Sequence, residues 1–131
     1  MRYLLSIIED ESRFATMTPE DGPRIMEAYG EFGQQVEAAG VLVAGAGLEP
    51  SSTATTVRVR DGERLITDGP FAETKEQLGG FYLLECKDLD EAIEWAAKIP
   101  GAQSGSIEIR PEMDYEARRA GQGLRAEASK A

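Results

Sequence analysis

The stretch "YLLSII", residues 3–8, decides how this chain folds. Read as a strand, it puts Tyr3, Leu5 and Ile7 on one face and Leu4, Ser6 and Ile8 on the other. Both faces are largely apolar, the pattern of a strand covered on two sides. Phe81-Tyr82-Leu83-Leu84, inside a second strand running to Cys86, has the same character. Whatever sheet these strands join must therefore be sheltered above and below.

Working outward, Thr18-Pro19-Glu20-Asp21 is a helix-start signal, with Thr18 as N-cap and Pro19 at the first position. Asp21-Gly22-Pro23 offers a second start one turn later. Ile25, Tyr29, Phe32 and Val36 recur at helical spacing, and Gly40 is expected to end the helix. Val41 to Leu48 reads as a strand thinned by small residues, and Thr53 to Arg60 as another with period-two alternation. Asp61-Gly62 joins that strand to Glu63–Thr67, because Asp-Gly accepts the positive φ of a tight hairpin turn. Asp88 with Glu91 three residues on forms a capping-box variant, opening a helix that Pro100-Gly101 ends. Ser106 to Arg110 is the last strand. The order predicts an α+β protein of ferredoxin-like βαββαβ plan with an inserted β-hairpin. Right-handed crossovers put both helices on one face of the sheet. The other face would then expose more apolar area than a monomer usually tolerates, so a homodimer packed sheet to sheet is expected. The alternative is that the hairpin or the C-terminal tail folds over that face.

At 131 residues the chain has the length of one domain, expected over 1–113, followed by a polar, loosely held tail at 114–131. A single cysteine, Cys86, precludes an intrachain disulfide, and its apolar surroundings suit a small buried hydrophobe. The N-terminus lacks the length and cleavage site of a signal peptide, and no stretch approaches the ~20 apolar residues of a spanning helix. A cytoplasmic protein with no membrane association is expected. With 14 basic against 24 acidic side chains and a net charge of −10, nucleic-acid binding is disfavoured by repulsion from phosphate.

There is no histidine, which removes Ser/His/Asp and Cys/His catalysis and the usual zinc sites; no metal and no cofactor are expected. Gly45-Ala46-Gly47 lacks the third glycine of a dinucleotide fingerprint and leads into a strand. Glu9-Asp10-Glu11 reads as loop charge. The densest chemistry lies in "ITDGPFAETKEQLGGFYLLEC", residues 66–86. Asp68-Gly69-Pro70 is readable as a turn, with Phe71 plugging a sheet edge and Gly79-Gly80 making a bulge. The turn reading is the simpler one; the stretch is also readable as a site, since long ordered loops are disproportionately functional. Asp68 would then be an acid/base catalyst beside Phe71, with Gly69, Pro70 and Glu73 contributing to a ligand pocket and Lys75 anchoring an anion. A pocket of ~300 Å³ or more with Asp68 on its wall would mark a small-molecule ligand site; an exposed mixed patch would mark an interaction module.

At "TDGPFAETKEQLGGFYLLE", together with "GVLVAGAGLEPSSTATTVRVRDGERLITDGPF", the chain resembles the YCII-related family, in its DGPF-domain branch. The likeness runs from Met1 to about Met113 and centres on Asp68-Gly69-Pro70-Phe71. The resemblance implies a ferredoxin-like fold assembled as a dimeric α+β barrel. Relatives with a histidine–aspartate pair in a cleft have been assigned a possible active site there, and the histidine of that pair has no counterpart here. The resemblance also implies company with extracytoplasmic-function sigma factors, hence a regulatory partner.

Overall fold

The computed structural model describes residues 1–122, and its sheet is organised around strand β1 (Arg2–Glu9). After β1 come α1 (Asp21–Ala38), β2 (Leu42–Gly47), β3 (Thr55–Arg60), β4 (Glu63–Asp68), β5 (Gln77–Glu85), α2 (Leu89–Lys98), β6 (Ser106–Pro111) and α3 (Tyr115–Gln122). Four strands form an antiparallel sheet in the order β2-β5-β1-β6, while β3 and β4 pair only with each other in a separate ladder. This arrangement is consistent with a ferredoxin-like α+β fold.

The helices cover the face carrying Tyr3, Leu5 and Ile7. Leu5 is 0% exposed, and it joins Leu84, Cys86 and Ile99 beneath Phe32 and Val36 of α1 and Ala92 and Ala96 of α2. Two alanines on the buried stripe of α2 suit a close helix–sheet approach, since they present no long side chain to the sheet. Phe32 meets Tyr82 and Trp95 edge-on, at 4.9 and 6.1 Å between ring centroids, the geometry that the ring quadrupoles favour.

Local signals set the boundaries. At Asp88 the side chain accepts from the Glu91 amide (2.9 Å), and Glu91 accepts from the Lys87 amide (2.8 Å). Gly40, at φ +73°, closes α1: its amide donates to the Glu37 carbonyl and the Val41 amide to the Val36 carbonyl. The start of α1 departs from the Thr18-Pro19 signal and takes the later Asp21 one. The Asp21 carboxylate accepts from the Thr18 amide (2.8 Å), which keeps residues 18–20 in a turn ahead of the helix. A 3-10 helix over Glu11–Thr16, capped by Asp10, was also not anticipated. In the segment expected to be irregular, α3 forms a helix whose residues 115–121 are all exposed; residues 123–131 of the expected tail lie outside the described residues.

On the far face, Leu4 lies opposite Leu83, Ser6 opposite Phe81 and Ile8 opposite Leu78, with Ala44 and Ala46 alongside on β2. A bulge at Gly79 lets Leu78 share this face with Phe81 and Leu83, because one extra residue restores the alternation that would otherwise turn it inward. On this face Leu4 is 37% and Leu78 47% exposed, Ile8, Phe81 and Leu83 are half-buried and Ser6 is buried. Glu108 and Arg110 of β6, paired at 2.9 Å, border it. No helix among the described residues is long and apolar enough to cross a membrane.

Candidate functional site

Where β2 and β5 run under the first half of α1, the helix-facing positions are Gly45, Gly47 and Gly80. In a sheet of this kind such positions usually carry valine or leucine, which would fill the space up to the helix. Here nothing fills it, and a cavity of about 870 Å³ results. Two of the glycines are also held by contact. A Cβ on Gly80 would stand 2.8 Å from the Ala46 carbonyl oxygen, and one on Gly45 would stand 3.0 Å from the Tyr82 ring. Gly47 has no heavy atom within 4 Å of its Cβ position, so that side of the strand opens onto free space.

The walls are apolar: Ile7, Leu42 and Tyr82 from the sheet, Ile25 from α1, Phe14 from the 3-10 segment and Met17 just after it. Against them stand a few polar groups. Tyr29, one turn before the Phe32 anchor of α1, points its Oη at the turn after α2, where the Gly101 amide donates to it (3.1 Å). Glu9, at the end of β1, accepts only a long hydrogen bond from Ser104 Oγ (3.4 Å) among the described residues. A Cβ on Gly101 would lie 2.8 Å from Tyr29 Oη, 2.9 Å from Ile7 Cγ2 and 3.1 Å from Glu9 Oε1, so phenol and carboxylate close in on the same glycine, where no side chain would fit. At the exposed rim are Arg13 and Arg24. Arg24 reaches Asp21 at 3.5 Å, whereas Arg13 has no ion pair among the described residues.

Burial pushes the Tyr29 phenol up to about 12, and the neighbouring Glu9 carboxylate adds to the rise. Tyr82 is pushed up by burial as well. Asp10 is held below the usual carboxylate range, first by the Ser12 hydroxyl and then by the Ser12 amide. It is thus occupied as a cap, leaving Glu9 as the free carboxylate. Tyr29 carries a testable sign. Its folded pKa lies above the ordinary value of 10.0, so it favours the fold fully below pH 10 and loses that contribution as pH rises through about 12. Titration of tyrosinate absorbance should show a late-ionising tyrosine that disappears in Tyr29→Phe. A variant curve superimposable on the parent would refute this.

The residues singled out in the opening stretch sit elsewhere. Asp68 ends β4 and is exposed. Gly69, at φ +105°, donates its amide to the Ala54 carbonyl (2.6 Å) and accepts from Thr56 Oγ1 (2.8 Å), fastening the turn to β3. The Phe71 carbonyl accepts from Arg58 (3.3 Å), while its ring is 77% exposed. Glu73 is exposed and Pro70 half-buried. None of these lines the cavity, and neither does Lys75, although its charge helps to lower Asp10 on the rim. The loop touches the site through its end: Gln77 Oε1 accepts from the Glu11 amide (3.0 Å), and Glu11 in turn accepts from the Ser51 amide and hydroxyl. Those bonds hold the 3-10 segment over the cavity.

Glu9 and Tyr29 escaped the reading of the sequence, one as loop charge and the other as part of a helical stripe. The glycine clusters 45–47 and 79–80 could have marked the cavity floor once β2 and β5 were known to pair, but nothing in the spacing links them to Glu9 or Tyr29. Among the described residues no three His, Cys, Asp or Glu side chains gather as a metal site. Cys86 is buried, its thiol pushed up by burial and by Glu91 and Glu85.

A family model described as the YCII-related domain matches residues 1–116. An uncharacterized protein of Rhizobium meliloti (strain 1021) is 41% identical over 113 residues, which cover 85% of this chain and 91% of that protein.

Proposed function

The chain belongs to the YCII-related family, and from that premise we propose that it is a small-molecule-binding protein whose ligand occupies the hollow between the sheet and α1. The observation that carries this reading is the 870 Å³ cavity itself, within the ~300–1,000 Å³ of typical ligand sites. Its walls suit an apolar body, and Arg13 and Arg24 at the rim suit an anionic group on that body. The working unit in this proposal is a homodimer, closed sheet to sheet as a dimeric α+β barrel. The apolar far face with its charged border has the anatomy of an interface, an apolar centre within a polar rim.

Amide spectra in the presence of 3-phenylpropionate, an aryl body bearing a carboxylate, test the ligand site. The signals of Gly47, Gly79 and Gly101 are expected to move, and Gly47→Leu, which projects a side chain into the open space, to abolish the movement. Spectra unchanged at millimolar probe, or changes confined to residues 68–75, would sink the cavity reading. The second outcome would restore Asp68 as the centre of the site.

A second reading is favoured by the β3–β4 hairpin. Its contacts are mainly internal, and Val57, Val59 and Ile66 are each more than half exposed, close in sequence to Phe71. In that reading the hairpin and the 68–75 loop form a docking surface for a protein partner, with an extracytoplasmic-function sigma factor the candidate suggested by family company. A partner that binds the chain and is released by Phe71→Ala, with the glycine amide signals undisturbed, would favour it.

A further inference from the structure

We propose that Glu9 and Tyr29 form an acid–base pair that moves a proton on a carbonyl compound carrying an ionised carboxylate and an apolar body. The inference rests on the reading that the cavity holds a small molecule, and it adds a reaction. Four observations lead to it. Both groups line the cavity, and their oxygens come within 2.8 and 3.1 Å of one point, the Cβ position of Gly101, which puts phenol and carboxylate side by side on the cavity wall. The Glu9 carboxylate has no ion pair among the described residues and only the long bond from Ser104, so its lone pairs are free to take a proton. Tyr29 Oη accepts from the Gly101 amide, which fixes the oxygen and leaves its own hydrogen without an acceptor among the described residues. Arg13, the rim cation without an ion pair, and Arg24 beside it are placed to hold a carboxylate outside while the apolar part enters.

The step balances within the site. Glu9 removes a proton from the carbon next to the carbonyl; the C–H electron pair becomes the C=C bond of an enolate, and the carbonyl π pair moves onto oxygen. The Tyr29 O–H donates a hydrogen bond to that oxygen, where the new charge collects. The carboxylic acid formed on Glu9 then returns its proton to carbon, at the same or a conjugated position, restoring the carboxylate. No oxidant, reductant or metal takes part. A neutral phenol suits the donor role because it keeps its proton while the enolate oxygen gains charge, and partial burial helps to hold Tyr29 neutral.

Phenylpyruvate meets each requirement: a phenyl ring for the apolar walls, a carboxylate for the arginines and exchangeable hydrogens on C3. The full chain in deuterium oxide is expected to speed the loss of the C3 proton signal well above the buffer rate. Glu9→Gln should return the rate to that of buffer, a loss of about 10²–10⁴-fold, while phenylpyruvate still shifts the Gly47 and Gly79 amides. Tyr29→Phe should slow exchange by about 10²–10³-fold with the same amide shifts. Washout at the buffer rate with those shifts present would overturn the acid–base pair and leave the binding site standing. Undiminished washout in Glu9→Gln would overturn it too. Absence of the shifts in the parent protein would overturn both the reaction and the cavity reading beneath it.

Discussion

Leu5→Ala is expected to lower the unfolding free energy by about 2–5 kcal/mol, the range for emptying a fully enclosed leucine position. Leu5 is 0% exposed on the central strand, flanked by β5 and β6 and roofed by α1 and α2. Strands hydrogen-bonded on both sides cannot move in to close the gap, so the upper half of the range applies. Domains of this size are stable by only about 5–15 kcal/mol, so the change removes a large share of the total. Denaturant unfolding at fixed protein concentration measures it, and a loss below about 1 kcal/mol would show that the helix-facing layer is not the core.

Its neighbour, on the opposite face, carries the second prediction. The parent protein should scatter light as a particle of twice the 14.2 kDa chain mass, and Leu4→Glu as a single chain. Leu4 sits opposite Leu83, with Phe81 and Leu78 further along the same apolar face. A carboxylate there would be carried by both copies into a dry interface, at a desolvation cost of several kcal/mol, enough to weaken association more than about 100-fold. Leu5→Ala serves as the control, because a change on the helix side should leave the mass doubled. A parent protein that scatters as 14.2 kDa at micromolar concentration ends the paired assembly.

The two leucines show how much of this architecture was legible in the residues. Apolar side chains on both faces of residues 3–8, the capping acids at 88 and 91 and the glycine at 40 act locally, through alternation and through bonds spanning a few residues. Such signals survive in one dimension. The start of α1 was left open between the Thr18-Pro19 and Asp21 signals, because the outcome depends on an Asp21–Thr18 bond that sequence spacing alone does not rank. The cavity was hidden for a different reason. It is made by missing side chains on two strands, and pairing brings Gly47 opposite Gly80 across more than thirty positions of chain. The Asp68-Gly69-Pro70-Phe71 turn drew attention because its chemistry is compact in sequence. Glu9, Tyr29 and Gly101 come together only through the fold.

The glycine-floored hollow also divides α1 into two unlike halves. Phe32 and Val36 grip the sheet, while the segment from Asp21 to Ala28 spans open space with Met26 pointing to solvent. Selection for toughness alone would have an easy remedy, a bulkier residue at position 47, where room is free. A chain that keeps its floor bare forgoes that cohesion: α1 is anchored to the sheet through its C-terminal half alone, and its first turns roof the hollow.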